Sequence, residues 1–149
     1  MGKKLNSLGE IGPLLEEFAN DLLRASILET DARVKEASPV LSGRLRNSWM
    51  IGENSEAGQP AERKEYGENI PPAVAINYTQ GQERIGNTYS IHNNLEYAEA
   101  ACFGTNLPPS WQGDFKPAKK GVVPGFPDLI AKEMQAFVDQ KAREFRRKF

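Results

Sequence analysis

One run dominates what this chain can become. From Ile11 to about Ala37, the apolar residues Ile11, Leu14, Leu15, Phe18, Leu22, Ala25, Leu28 and Ala32 recur at spacings of three and four, the period of an amphipathic helix. Such a helix carries a continuous apolar stripe, so the rest of the fold has to cover it. Pro13 suits a first turn, where a missing N–H costs nothing, and Glu16, Glu17 and Asp21 put negative charge toward the positive end of the dipole. Ser38-Pro39 supplies the stop, because proline pushes the residue before it out of helical geometry. A helix over 9–37 is expected.

Downstream the period changes. After a turn at Leu41-Ser42-Gly43, the stretch Arg44 to Ile51 alternates, with Leu45, Asn47, Trp49 and Ile51 on one side and Arg44 and Arg46 on the other, which predicts a half-buried strand. Residues 52–70 have almost no apolar side chains and are too long for a tight hairpin, so a mobile loop is expected over 53–70. Ala73–Tyr78 and Thr88–Asn93, joined by a connection containing Gly81 and Gly86, read as the two antiparallel strands of a hairpin. Asn93-Asn94 marks a turn, and Leu95–Phe103 is either a helical turn or an edge strand.

The segment from Gly104 to Pro127 holds five prolines, four glycines and Trp111, an extended arm over 104–126. Pro127 and Asp128 then open a second helix over 127–148, with Ile130, Met134, Phe137, Val138, Ala142 and Phe145 on one side. The economical architecture is one α+β domain over 1–149. It has a small antiparallel sheet within 44–103, the long N-terminal helix and the C-terminal helix packed on one face, and extended loops.

A chain of 149 residues is long enough to bury roughly two-thirds of its unfolded surface. Its single cysteine, Cys102, excludes an internal disulfide and leaves no pair to cage a metal. No apolar run is long enough to span a membrane, and the amino terminus lacks the apolar stretch of a secretory signal. Neither membrane insertion nor export by that route is expected.

Chemistry has few candidates. Cys102 and the only histidine, His92, would together make a thiolate nucleophile for a hydrolase. No nucleophile signature surrounds Cys102, however, and a lone buried cysteine behaves as a small hydrophobe. One His and one Cys do not complete a zinc site, and Glu53, Glu56, Glu62, Glu65 and Glu68 lack the pattern of a calcium loop. No glycine-rich loop ends in Gly-Lys-Ser/Thr. The expectation is no enzyme, no metal and no cofactor.

Charge is more informative than its total. Lys and Arg number 19 against 20 Asp and Glu, for a net charge of −1, which excludes a polybasic or polyacidic protein. Residues 1–115 nevertheless carry −6 and residues 116–149 carry +5. Lys141, Arg143, Arg146, Arg147 and Lys148 crowd the last turns of the second helix, where they either complement its own dipole or contact phosphates. Arg44 and Arg46 either meet a carboxylate on a partner or face water. A chain with opposite ends suits stacking on unlike neighbours or head-to-tail contact around a ring.

Two clusters stand out. One is Ala37-Ser38-Pro39-Val40-Leu41-Ser42-Gly43-Arg44-Leu45-Arg46-Asn47-Ser48-Trp49, directly after the long helix. The other is Asn93-Asn94-Leu95-Glu96-Tyr97-Ala98-Glu99, then Phe103-Gly104-Thr105, then Lys119-Lys120-Gly121-Val122-Val123-Pro124 before the last helix. Together they resemble a family of tailed-bacteriophage neck and minor tail components, including tail-completion proteins. There a helix ends in a Pro-Val-x-Ser/Thr-Gly-x-Leu-Arg-x-Ser turn into the first strand. A later Asn-x-x-x-Tyr-Ala motif leads to an aromatic-Gly-Thr/Ser step, a proline-rich loop and a helix. The likeness spans about residues 10–148, with Pro39, Gly43, Leu45, Tyr97, Ala98 and Gly104 at its turn and core positions. The family commonly has Glu just before the aromatic-Gly step, where this chain has Cys102.

The resemblance implies a structural protein of the virion, assembled in the host cytoplasm. Such proteins form a homo-oligomeric ring, typically a hexamer, at the head–tail junction, where they join the tail tube to the head connector and DNA passes through the lumen. The alternatives are a tail terminator, or a nucleic-acid-binding module using the basic C-terminal helix. The partners implied are further copies of the chain and the neighbouring head-connector and tail-tube or terminator proteins, with no membrane. Trp49 is expected in the core. Arg44, Arg46, Trp111, Phe115, Arg143, Arg146 and Arg147 are the candidate contacts.

Overall fold

The computed structural model describes residues 9, 11–38, 43–62, 70–104 and 125–147. In chain order they form helix α1 (Ile11–Ala37), the single turn α2 (Arg44–Asn47), strands β1 (Trp49–Glu53) and β2 (Tyr89–Asn93), the short helix α3 (Ala98–Phe103) and helix α4 (Phe126–Arg146). β1 and β2 pair antiparallel, with Trp49 opposite Asn93 and Glu53 opposite Tyr89. The fold is α+β, as the alternation of periods implied. α1 packs on both strands, and α4 packs along α1 and touches α3.

The two long helices run antiparallel. Phe18 stacks on Phe145 with ring centroids 3.6 Å apart, and farther along α1 the Arg33 guanidinium donates to Glu133 at 3.2 Å. On α4, Phe126, Ile130 and Met134 are buried, while Phe137, Val138, Ala142 and Phe145 are half-buried, so the predicted side is the packed one. On α1 the deepest apolar residues are Ile27 and Val34, whereas Leu15, a member of the expected stripe, is 51% exposed. Val34 joins Leu45, Trp49, Leu95, Ala98, Ala101, Cys102, Phe126, Ile130 and Met134 in one core cluster. Every helix and the first strand contribute to it, which is how a sheet of two strands is held in place.

The strand expected over Arg44–Ile51 is corrected. Asn47 N–H donates to Gly43 O at 2.9 Å and Ser48 Oγ donates to Arg44 O at 2.6 Å, which closes a helical turn, and the strand starts only at Trp49. Leu45 and Trp49 are four apart, a spacing at which a helical turn and an alternating strand place both residues on the same side. Arg44 and Arg46 therefore sit on a turn of helix and not on a strand.

The hairpin expected between 73–78 and 88–93 is corrected as well, because β2 pairs with β1. Val74 and Ile76 are 80% and 69% exposed, so the alternation of this segment turns its larger apolar side chains outward. Its neighbours are the end of α2 and the end of β1. Ala73 N–H donates to Asn47 O at 2.7 Å, and the Asn77 amide accepts from Glu53 N–H at 3.2 Å and donates to Glu53 O at 2.9 Å. A side-chain amide takes the place that a backbone rung would have in a strand.

Within the predicted 53–70 loop, the described part is anchored. Ala61 and Ile70 are buried, Ala61 N–H donates to Ser48 Oγ at 2.9 Å, and the Asn94 amide donates to Glu56 O and Gly58 O at 3.1 and 3.0 Å. Of the two options for Leu95–Phe103 the chain takes the helix, α3, which ends at Gly104 with φ of +69°. Gly125 N–H donates to Cys102 O at 2.8 Å, so the chain re-enters beside the point it left. α4 then begins one residue before the expected start. Pro39, residues 63–69, the arm from 105 to 124 with Trp111 and Phe115, and Lys148 lie outside the described residues.

Candidate functional site

The first motif cluster builds the corner between α1 and β1. Ser38 Oγ donates to Val34 O at 2.6 Å and accepts the Trp49 indole N–H at 2.7 Å, so one buried hydroxyl joins the end of the helix to the start of the strand. Arg46 Nε donates to Lys35 O at 2.8 Å, a second donor on a carbonyl of the last turn of α1 that also accepts Ser38 N–H at 3.3 Å. Arg44 Nε donates to Ala61 O at 2.9 Å, and Asn47 Nδ2 donates to Ile70 O at 2.8 Å. Gly43, with φ of +89°, takes the left-handed conformation that starts α2, which a residue with a Cβ adopts only under strain.

The second cluster closes on the first. Asn93 Nδ2 donates to Leu45 O at 2.9 Å while its Oδ1 accepts Leu95 N–H at 3.2 Å. Ala98 is buried with Leu45 and Trp49 in the core, and Tyr97 packs against that core half-buried. The described parts of the two stretches that carry the resemblance, about fifty residues apart in sequence, are thus one structural unit. Arg44 and Arg46, read from the sequence as partner contacts, each spend a donor on the chain's own backbone. Arg143, Arg146 and Arg147 are exposed at the end of α4.

The residues weighed for catalysis have structural surroundings. Cys102 lies in the core cluster, and burial pushes its thiol up to about 12, opposite to the shift that a nucleophilic thiolate needs. His92 Nδ1 is 3.0 Å from Ser90 Oγ and Nε2 is 3.3 Å from Ala57 O, so both ring nitrogens face neighbours. Gly52 of β1, beside His92, is a close-approach residue, because a Cβ there would come within 2.1 Å of Ser55 O. Among the described residues no group of three or more His, Cys, Asp or Glu side chains is placed to hold a metal ion, and no helix is long and apolar enough to cross a membrane.

A second polar centre carries no sequence motif. Glu83 sits in an irregular loop between Tyr78 and Tyr89, yet its side chain is fully buried. Arg24 of α1 pairs with it at 2.8 Å, the Tyr78 hydroxyl donates to it, and Gly81 N–H reaches its carboxylate at 3.1 Å. Burial alone would raise the Glu83 pKa; the hydrogen bonds from Tyr78, from Arg24 and from the backbone outweigh it and hold the carboxyl at about 2. Tyr78 is shifted well above the ordinary phenol value, first by its burial and then by its bond to Glu83. The next tyrosine repeats the pattern, with the Tyr89 hydroxyl donating to Glu53 while accepting Arg84 N–H at 2.8 Å.

Beside this centre opens a polar cleft of about 870 Å³ lined by Glu16, Asn20, Glu53, Gln82, Arg84 and Asn87 among others. A lone Glu in a loop gives no sequence signal of burial. The one available cue is that Arg24 lies on the Glu16–Asn20 face of α1 at steps of four, offering a cation to whatever covers that face.

No protein-family model matches the chain, and comparisons with curated proteins and with solved structures give no match.

Proposed function

We propose that this protein is a structural subunit of a tailed phage, forming a ring at the head–tail junction as a neck or tail-completion component. The observation that carries the reading is the Asn93–Leu45 bond with its shared core. The described parts of the two motif clusters come together in space, and their polar residues are used to fix a helix–strand corner. A corner of that kind is scaffold chemistry, in keeping with a protein whose task is to hold a shape. Val74, Ile76 and Ile85, all more than half exposed, give the surface an apolar character on one connection, which suits contact with other proteins.

The test is the virion. Mass spectrometry of purified particles is expected to find the chain in stoichiometric amounts, and particles made without it are expected to show unjoined heads and tails by electron microscopy. Joined, infectious particles lacking the chain would sink the proposal. A nucleic-acid-binding module is the second reading, favoured by the exposure of Arg143 and Arg146 on the last turn of α4 and of Arg147 just past it. It predicts a DNA mobility shift that weakens steeply with salt and is abolished when the three arginines are changed to Glu.

A further inference from the structure

The polar cleft and the arginine end of α4 lie at one level of α1, on opposite sides of it. Phe18 faces α4 through Phe145. Glu16 and Asn20 line the cleft, and Arg24, four residues on, reaches Glu83 beside it. Residues two apart on a helix are separated by about 200° around its axis, so the face holding Glu16 and Asn20 looks away from the face covered by α4.

The two surfaces are complementary. A guanidinium offers five N–H donors and no acceptor. The cleft offers the carboxylates of Glu16 and Glu53, and Asn20 Oδ1 is buried without a hydrogen-bond partner. Glu83 is already matched by Arg24. Arg84 is the cation of the lining, and Ile85 beside it, 58% exposed, gives the stems of long side chains an apolar surface to lie on. Across α1, Arg143, Arg146 and Arg147 are exposed, and among the described residues no ion pair holds any of the three.

We propose that the cleft is the socket for the arginine-bearing end of α4 from a second copy of this chain. Two unlike surfaces on opposite sides of one subunit make a heterologous contact, which repeats from copy to copy and closes into a ring when the rotation permits. The proposal deepens the ring-subunit reading, although the contact itself is a property of this chain whatever particle it serves.

The experiment is sedimentation equilibrium of the full chain over a range of concentrations, at about 0.05 M and about 0.5 M salt, where screening differs severalfold. Low salt is expected to give association and high salt to weaken it. Glu16→Lys alone, and Arg143→Glu with Arg146→Glu, are each expected to weaken association about tenfold or more, and combining the three changes in one chain is expected to restore it. All three side chains are exposed, and circular dichroism of each variant checks that the fold is kept. A wild-type chain that stays monomeric at both salts overturns the proposal, as does association indifferent to either reversal or not rescued by their combination. If the arginine variant loses DNA binding while self-association is unchanged, the arginine end serves phosphates and the socket falls. Charge-dependent association in a chain missing from particles would sink the virion role and leave the socket standing. A chain present in particles whose assembly ignores the reversals would do the opposite.

Discussion

The corner at Ser38–Trp49 and the loop around Glu83 both fasten a neighbour to α1, and they do it by different physics. The corner uses groups that acid does not titrate: a hydroxyl shared between Val34 O and the Trp49 indole, arginine donors on backbone carbonyls, and an apolar cluster beneath them. The Glu83 loop uses a buried carboxylate and surrounds it with a cation, a phenol and a backbone N–H. Burial by shape is insensitive to pH. A buried charge holds only while it stays charged, and it makes the loop's attachment depend on proton concentration. The molecule thus has one fastening that conditions leave alone and one that acid releases.

The largest test of that contrast is Trp49→Ala. It removes the main aromatic of the core and leaves a cavity, with an expected loss of about 4 kcal/mol in urea unfolding, equal at pH 7 and pH 4 once both proteins are referred to the same baseline. Next is Glu83→Gln, which keeps the shape and removes the charge that three donors address. A loss of about 2 kcal/mol is expected at neutral pH.

The sign of the pH effect follows from the lowered pKa. Because the folded carboxyl sits at about 2, below the ordinary 4.5, its contribution is complete above the ordinary value and disappears as pH falls through about 2. The gap between wild type and Glu83→Gln should therefore narrow over that window. A constant gap for Glu83→Gln, or a pH-dependent one for Trp49→Ala, would break the comparison.

Two smaller effects sharpen it. Gly43→Ala forces a Cβ into the left-handed region and is expected to cost about 1 kcal/mol by thermal unfolding, with no pH dependence. Tyr89→Phe removes the donor to Glu53 and the acceptor of Arg84 N–H at the edge of the cleft. It is expected to cost about 0.5 kcal/mol, the smallest of the four.

The same contrast explains what could be read from the sequence. α1 and α4 were legible because many residues repeat one period, and α4 came within one residue of its expected start. The corner was legible as a position, from Ser38-Pro39 and Gly43, but its internal form was not. Leu45 and Trp49 satisfy a helical turn as well as a strand, and the choice rests on Ser48 folding its hydroxyl back onto Arg44 O. The strand pairing was misread because Ala73–Tyr78 has a strand's alternation with its larger apolar side chains facing water, and Asn77 contributes its amide to Glu53 from the side. The Glu83 centre left no cue beyond the placement of Arg24 on α1. A buried carboxylate is made by partners at positions 24, 78 and 81, and no local pattern connects them.

The bond from Gly125 N–H to Cys102 O carries a consequence for how this protein can change over generations. It pins together the two ends of the 105–124 stretch, so the chain leaves and returns through one doorway. Doubling a closed loop's length costs only about 0.6 kcal/mol in closure entropy. Changes of length between these two ends therefore cost little in closure, and the bond keeps the start of α4 beside the end of α3.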